Sequence, residues 1–319
     1  MPRTDIDVRL RVFTWFTERS GAVAVSRMTP EDIARARARR LSHNLVTSRV
    51  FGPMPRGVRI ADHGIVTDTG PLTVRLYRPP TTAHPLPMVV NFHGGGGTLG
   101  NLDQSDWLCA QVAARAGALV VSVDYRLAPE HPHPAGRDDG YAALNWVARH
   151  AGVLGGRADR IAVMGDSAGG NLAAAVCLLA REAGPVVDAQ VLLYPVLDLT
   201  FDRPSVGRFA QGPVLTRADM LVFRDNYLGP GGDPTDPACS PLLTPDLGGL
   251  PPTLVVTAAL DPLHDDGADY ADRLAAAGVT VRHTDHARAV HGFLSFPGVC
   301  RAATDALDEI CDELRVRFA

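Results

Sequence analysis

The 319-residue chain contains no lysine: all 31 of its basic residues are arginine. A Schiff-base lysine and a phosphate-loop lysine are thereby excluded. With 35 acidic residues the formal net charge is −4, and a chain without a dense basic face has no drive to condense on nucleic acid. The one basic run, Arg35, Arg37, Arg39 and Arg40, reads as the solvated face of a helix. Cysteine is sparse too. Cys109, Cys177, Cys239, Cys300 and Cys311 are odd in number and lack C-x-x-C spacing, which argues against a disulfide framework and fits a reduced, cytoplasmic protein. No His, Cys and carboxylate group has ligand spacing, so neither a metal nor any other cofactor is expected. Long apolar runs are missing as well. Even Ala173–Ala180, among the longest, is far shorter than the ~20 residues of a membrane span, and Met1–Phe16 has no apolar stretch that reads as a secretory signal.

What is present is a globular composition. Hydrophobic residues make up 46% of the chain, enough to cover a large core at this length. Val58–Ala61 and Leu72–Arg78 alternate like strands around a turn at Asp68–Pro71. Short β-rich runs follow at Met88–Phe92, Ala118–Val123, Ile161–Met164, Ala189–Tyr194, Leu254–Thr257 and Val279–His283. Between them lie helix-period segments near Asp106–Ala116, Arg137–Ala151, Gly170–Glu182, Leu263–Ala277 and Arg301–Val316. Strands alternating with helices imply crossover connections, hence an α/β fold with a mostly parallel sheet covered on both faces. Thr29, Pro30, Glu31 and Asp32 open a further helix, expected to run to about Ser48. The stretch between Pro195 and Leu254 is too long for one crossover helix. It carries an amphipathic segment, Arg217–Tyr227, and a Gly/Pro-rich tract, Gly229–Pro237, and it reads as an insertion folding over the sheet together with the N-terminal helices.

The sharpest local feature is Gly165-Asp166-Ser167-Ala168-Gly169, a G-x-S-x-G turn between a strand and a helix. Such a turn exposes the serine hydroxyl at the sheet top, and the helix start supplies amide donors for developing negative charge. A second feature is His93-Gly94-Gly95-Gly96-Gly97 at the end of a strand. Its backbone amides can complete an oxyanion hole with Ala168, and His93 is expected to orient the loop rather than act as a base. A serine nucleophile needs a base, and the base a carboxylate. Of the histidines after Ser167 (His264, His283, His286 and His291), His291 sits in a loop after the last strand, with His286 its competitor. Asp261 follows an apolar strand, at the edge where such sheets place reactive groups; Asp198, one strand earlier, is the alternative. Asp265 and Asp266 read as helix-start residues, and Asp166 as structural support.

These pieces together resemble the hormone-sensitive-lipase-like branch (bacterial family IV) of α/β-hydrolase esterases. His93-Gly-Gly-Gly96, Asp124-Tyr-Arg-Leu-Ala-Pro-Glu130, Gly165-Asp-Ser-Ala-Gly-Gly170, Asp261-Pro-Leu263 and His291-Gly-Phe293 occur in the family's order. The resemblance implies an α/β-hydrolase core with a helical cap. Ser167 would be the nucleophile, His291 the base and Asp261 its orienting acid. Amides of Gly95, Gly96 and Ala168 would hold the oxyanion, with Gly94 their neighbour. Arg126 and Glu130 would be a scaffold pair. Residues 1–50 would contribute to the cap, 51–199 and 233–319 would form the core, and 200–232 the cap insertion.

The implied activity is hydrolysis of short- to medium-chain acyl esters. An acyltransferase, an amide hydrolase using the same residues, and a silent ligand-binding protein on the same fold are the alternatives. The expected partner is a small ester, and the family analogy also allows a homodimer through the edge strand Val279–His283. The chain departs from the family at Gly97, where a bulky, often aromatic residue is usual. That departure predicts a wider site or a looser loop, and His286-Ala287-Arg288 predicts a polar approach to it.

Overall fold

The apolar runs at Leu86–Phe92, Ile161–Met164 and Ala189–Leu193 become strands buried on both faces, whereas Arg59–Thr67 and Val281–Val290 at the sheet edges stay largely exposed. In the computed structural model, which describes Arg9, residues 25–41, Asn44 and residues 47–319 except Thr82, eight strands form one sheet in the order β1-β2-β4-β3-β5-β6-β7-β8. They are β1 (Arg59–Thr67), β2 (Gly70–Arg78), β3 (Leu86–Phe92), β4 (Leu119–Asp124), β5 (Gly156–Asp166), β6 (Ala189–Leu193), β7 (Thr253–Leu260) and β8 (Val281–Val290). β1 and β2 form an antiparallel hairpin, β2 runs antiparallel to β4, and every other pairing is parallel.

Helices cover both faces: α1 (Pro30–Ala38), the single turn α2 (Ser48–Phe51), α3 (Asp106–Ala116), α4 (Ala135–Leu154), α5 (Ala168–Ala183), the short α6 (Pro204–Arg208), α7 (Arg217–Leu228), α8 (His264–Ala276) and α9 (Arg301–Phe318). Two apolar clusters result. Val90, Phe92, Leu144, Val163, Val176 and Leu274 belong to the one that α4, α5 and α8 share. Val89, Met164, Val191, Val256, Leu307 and Ile310 belong to the other, with α3 and α9. A third, smaller cluster joins Leu199, Phe201, Val206, Leu215, Met220 and Leu263, so the long segment after β6 has a small core of its own.

Three expectations change. The helix opened by Thr29 forms with its capping box to Asp32 but ends at Ala38. The side chain of Asn101 donates to the carbonyls of Arg37 and Arg39, supplying partners that a further helical turn would otherwise provide. The last strand starts at Val281 and runs to Val290, its register with β7 extending to the pair Leu260–Val290, so His286 lies inside it. In the arginine run, Arg35 and Arg40 do stay solvated, with side chains 76% and 71% exposed, whereas Arg37, at 21%, turns inward. Most of the expected N-terminal helical region, including Met1–Phe16 apart from Arg9, lies outside the described residues. Among the described residues no helix is long and apolar enough to cross a membrane.

Candidate active site

The carboxyl ends of the central strands carry the site. At the end of β5 the chain reverses into α5 through Ser167, whose φ of 54° and ψ of −118° are unusual for a non-glycine residue. The turn is tight enough that a Cβ on Gly165 would strike the carbonyl of Gly169, and one on Gly169 the carbonyl of Phe92. The two glycines of the motif are therefore steric requirements. The Ser167 amide donates to Leu193 O at 2.9 Å, which ties the turn to β6 and leaves the hydroxyl facing the cavity.

Ser167 Oγ lies 2.8 Å from His291 Nε2, and His291 Nδ1 lies 2.7 Å from Asp261 Oδ2. Asp261 is fully buried, and its other oxygen accepts the amide of Leu263 at 2.8 Å, so the carboxylate is fixed at both ends. The Tyr194 ring and the His291 imidazole pack in a T-shaped arrangement with centroids 5.2 Å apart. Tyr194 follows β6 directly, at the same sheet edge as the other groups; that position was the available signal for it.

The remaining sequence candidates are engaged elsewhere. His264 sits against Asp265 and Asp285, His283 against the Thr257 hydroxyl, and His286 3.4 Å from Glu309. The two neighbouring carboxylates push His264 up to about 9. Asp198 accepts from Thr200 and pairs with Arg203. Asp265 accepts the amide of Ser205, and Asp266 the amides of Leu197 and Asp198. Neither His286 nor Arg288 lines the cavity, so the polar approach expected from His286–Arg288 does not form.

The glycine loop lines the same cavity as Ser167. Gly95, Gly96 and Gly97 have φ of 121°, 63° and 64°, and the amides of Thr98 and Leu99 close back on Gly95 O at 3.1 and 2.7 Å. Gly94 differs from its neighbours: its amide donates to Asp166 Oδ1 at 2.9 Å and is taken up there. Burial raises the Asp166 carboxyl to about 6, opposed by the Gly94 amide and the nearby His291. His93 has its Nδ1 2.8 Å from Gly94 O and stacks on Tyr125. Burial lowers its pKa, which keeps it a neutral prop. The anticipated Arg126–Glu130 pair does not form. Arg126 makes a two-pronged contact with Asp139 in α4, and Glu130 instead meets Arg37.

A cavity of about 390 Å³ opens over Ser167. Its walls are mainly apolar, with Val25, Leu41, Phe51, Leu215, Phe223 and Tyr227 among the lining residues. The space beside Gly97 is not empty. A Cβ there would come within 2.7 Å of the Tyr227 ring, and one on Gly96 would strike Phe223. An aromatic wall from α7 thus occupies the volume that the missing side chain left, and the widening anticipated at Gly97 does not occur.

A family model described as the alpha/beta hydrolase fold matches residues 89–295. The carboxylesterase NlhH of Mycobacterium tuberculosis is 44% identical over 280 residues, covering 86% of each chain. An ethyl acetate hydrolase of Pseudomonas putida is 37% identical over 261 residues, covering 80% of this chain and 82% of its own. Among solved structures, an ester hydrolase from the metagenome of Lake Arreo, complexed with a derivative of bipyridine phosphonate, superposes with a TM-score of 0.89 at 35% identity, covering 98% of this chain and 99% of that one. With sheet order, motif order and relatives in agreement, the chain belongs to the α/β-hydrolase family, in its hormone-sensitive-lipase-like branch, and is an esterase.

Proposed function

We propose that the protein hydrolyses short- to medium-chain acyl esters by two-step acyl transfer at Ser167. The observation that carries this reading is the unbroken relay from Ser167 Oγ through His291 to Asp261, at 2.8 and 2.7 Å. In the first step Oγ attacks the ester carbonyl carbon while His291 Nε2 takes its proton. The carbonyl oxygen becomes an oxyanion held by the amides of Gly95, Gly96 and Ala168. Collapse of this intermediate expels the alcohol, which receives the proton from His291, and leaves an acyl-serine. Water then attacks the acyl carbon, giving up a proton to His291, and the acid is released as Oγ regains it. Asp261 holds the imidazole in the required tautomer throughout.

The apolar cavity favours an ester whose acyl and alcohol parts are uncharged. In this reading residues 200–232, with the N-terminal segment, act as a cap over the sheet-top site. Support comes from the cluster around Val206, Leu215 and Met220, from the lining by Phe51 and Phe223, and from the Ser26 amide donating to Asp219 Oδ1. Replacing Ser167 by Ala tests the assignment. Hydrolysis of chromogenic acyl esters is expected to drop to background with the thermal midpoint nearly unchanged, and turnover of wild-type size would remove Ser167 from the mechanism.

A further inference from the structure

The inward turn of Arg37 places a cation against the back of the glycine loop. From the last turn of α1, its Nε donates to Thr98 O at 2.7 Å, Nη2 donates to Ala128 O, and Nη1 meets Glu130 at 2.9 Å. Both carbonyls belong to the loop's own wiring. Thr98 closes the turn onto Gly95, and the amide of Ala128 donates to Gly97 O at 2.8 Å. The guanidinium therefore spans the loop from both sides, one nitrogen acting on the segment after Gly97 and another on the strap that holds Gly97. Its own root is fixed, because Asn101, just beyond the same loop, donates to the carbonyls of Arg37 and Arg39.

We infer that Arg37 is a positioning residue for ester hydrolysis: through Thr98 and Ala128 it sets the direction of the Gly95 and Gly96 amides. This makes α1 part of the machinery that stabilises the transition state, and it rests on the reading of Ser167 and the glycine loop given above. Glycines with positive φ have little intrinsic stiffness, and a displacement of about 1 Å in such a site can cost on the order of 100-fold in rate. A planar fork with several fixed donors suits the task. A lysine ammonium in its place would be a mobile point charge.

The test compares wild type with Arg37→Ala and Arg37→Lys, with Arg35→Ala and Glu130→Gln as controls. Each is assayed with a chromogenic butyrate ester and with a fluorescent alkyl phosphonate that forms an oxyanion-like adduct on the reactive serine. For Arg37→Ala the expected result is a kcat lower by roughly 10- to 100-fold with KM within about threefold, a scale set by the loss of loop alignment. Phosphonate labelling should slow by a similar factor, and free guanidinium should partly restore both rates. Arg37→Lys is expected to lie between the two, and the controls within about twofold of wild type, since Arg35 is solvated and Glu130 is the exposed member of its pair. Unchanged kcat and labelling in Arg37→Ala would overturn the inference. If that variant does not fold, wild-type kinetics in the lysine variant would overturn it equally. Failure of the wild type to be labelled at Ser167 would instead overturn the reading of the site itself, so the two failures are distinguishable.

Discussion

Asp166, the residue immediately before Ser167, accepts the amide of Gly94 at 2.9 Å and so joins the serine turn to the glycine loop. The contact encloses an acid whose carboxyl burial raises from the ordinary 3.8 to about 6. Because the folded value lies above the unfolded one, the native state binds the proton more tightly between the two. The stability this group contributes is full below about pH 4 and is lost as pH rises through 6. Asn at this position keeps an acceptor for Gly94 and has no charge to bury. Asp166→Asn is therefore expected to gain stability over wild type as pH rises from 4 to 7, by up to about 3 kcal/mol for a two-unit shift, with a plateau above 7. Thermal midpoints of both proteins across pH 4–8 check this, and parallel curves would contradict it.

Asp261 and Asp198 both follow central strands, and their surroundings separate them. Asp261 faces His291 from a fully buried position, whereas Asp198 accepts from Thr200 and lies 3.4 Å from Arg203. Asp261→Asn would present an amide where the imidazole needs an acceptor, with an expected fall in kcat on the order of 1,000- to 10,000-fold. Asp198→Asn is expected to keep activity within about tenfold, its effect being a weaker link to Arg203. Steady-state kinetics of the two purified variants decide the acid, and the reverse order of damage would reassign it.

The parts of the site that backbone geometry demands are legible in the sequence, and those that depend on long-range packing are not. Gly165 and Gly169 announce the turn because any side chain there strikes backbone, and His291 is marked by its place beyond the last strand. Helical periodicity cannot say which arginine of α1 faces a loop far along the chain, so Arg37 passes for a surface charge. Nor does the gap at Gly97 disclose that Tyr227 fills it, since that ring arrives from a separate helix. The motif around Arg126 does not disclose its partner. Glu130 is near in sequence, but Asp139 lies on the second turn of α4 and points back under the loop.

Tyr227 gives a test of substrate selection. Its ring lies over Gly97 and lines the cavity next to Phe223, so Tyr227→Ala extends the apolar space beside the glycine loop. Each methylene that enters new apolar space contributes about 0.8 kcal/mol, or roughly fourfold in kcat/KM. The variant is expected to prefer longer acyl chains than wild type by one to a few methylenes in a p-nitrophenyl series from acetate to decanoate. An unchanged length profile would place the acyl group elsewhere in the cavity.

Arg126 and Asp139 make the strongest separable stability prediction. Asp139 is fully buried; its Oδ2 accepts both the Arg126 amide and Nε, at 3.0 and 2.8 Å, while Oδ1 accepts Nη2 at 2.7 Å. Removing the guanidinium leaves a buried carboxylate with one backbone partner, a change that costs on the order of 3–5 kcal/mol when both groups are enclosed. Here the arginine side chain is 38% exposed, so solvent offsets part of the loss and about 2–3 kcal/mol is expected for Arg126→Met. Converting Asp139 to Asn in that background removes the stranded charge while keeping an acceptor for the Arg126 amide, and it should recover a large share of the loss. Urea unfolding of the wild type, both single variants and the double variant measures the coupling. Simple additivity of the two single effects would mean that the pair holds the Tyr125–Glu130 loop no more firmly than its backbone contacts do.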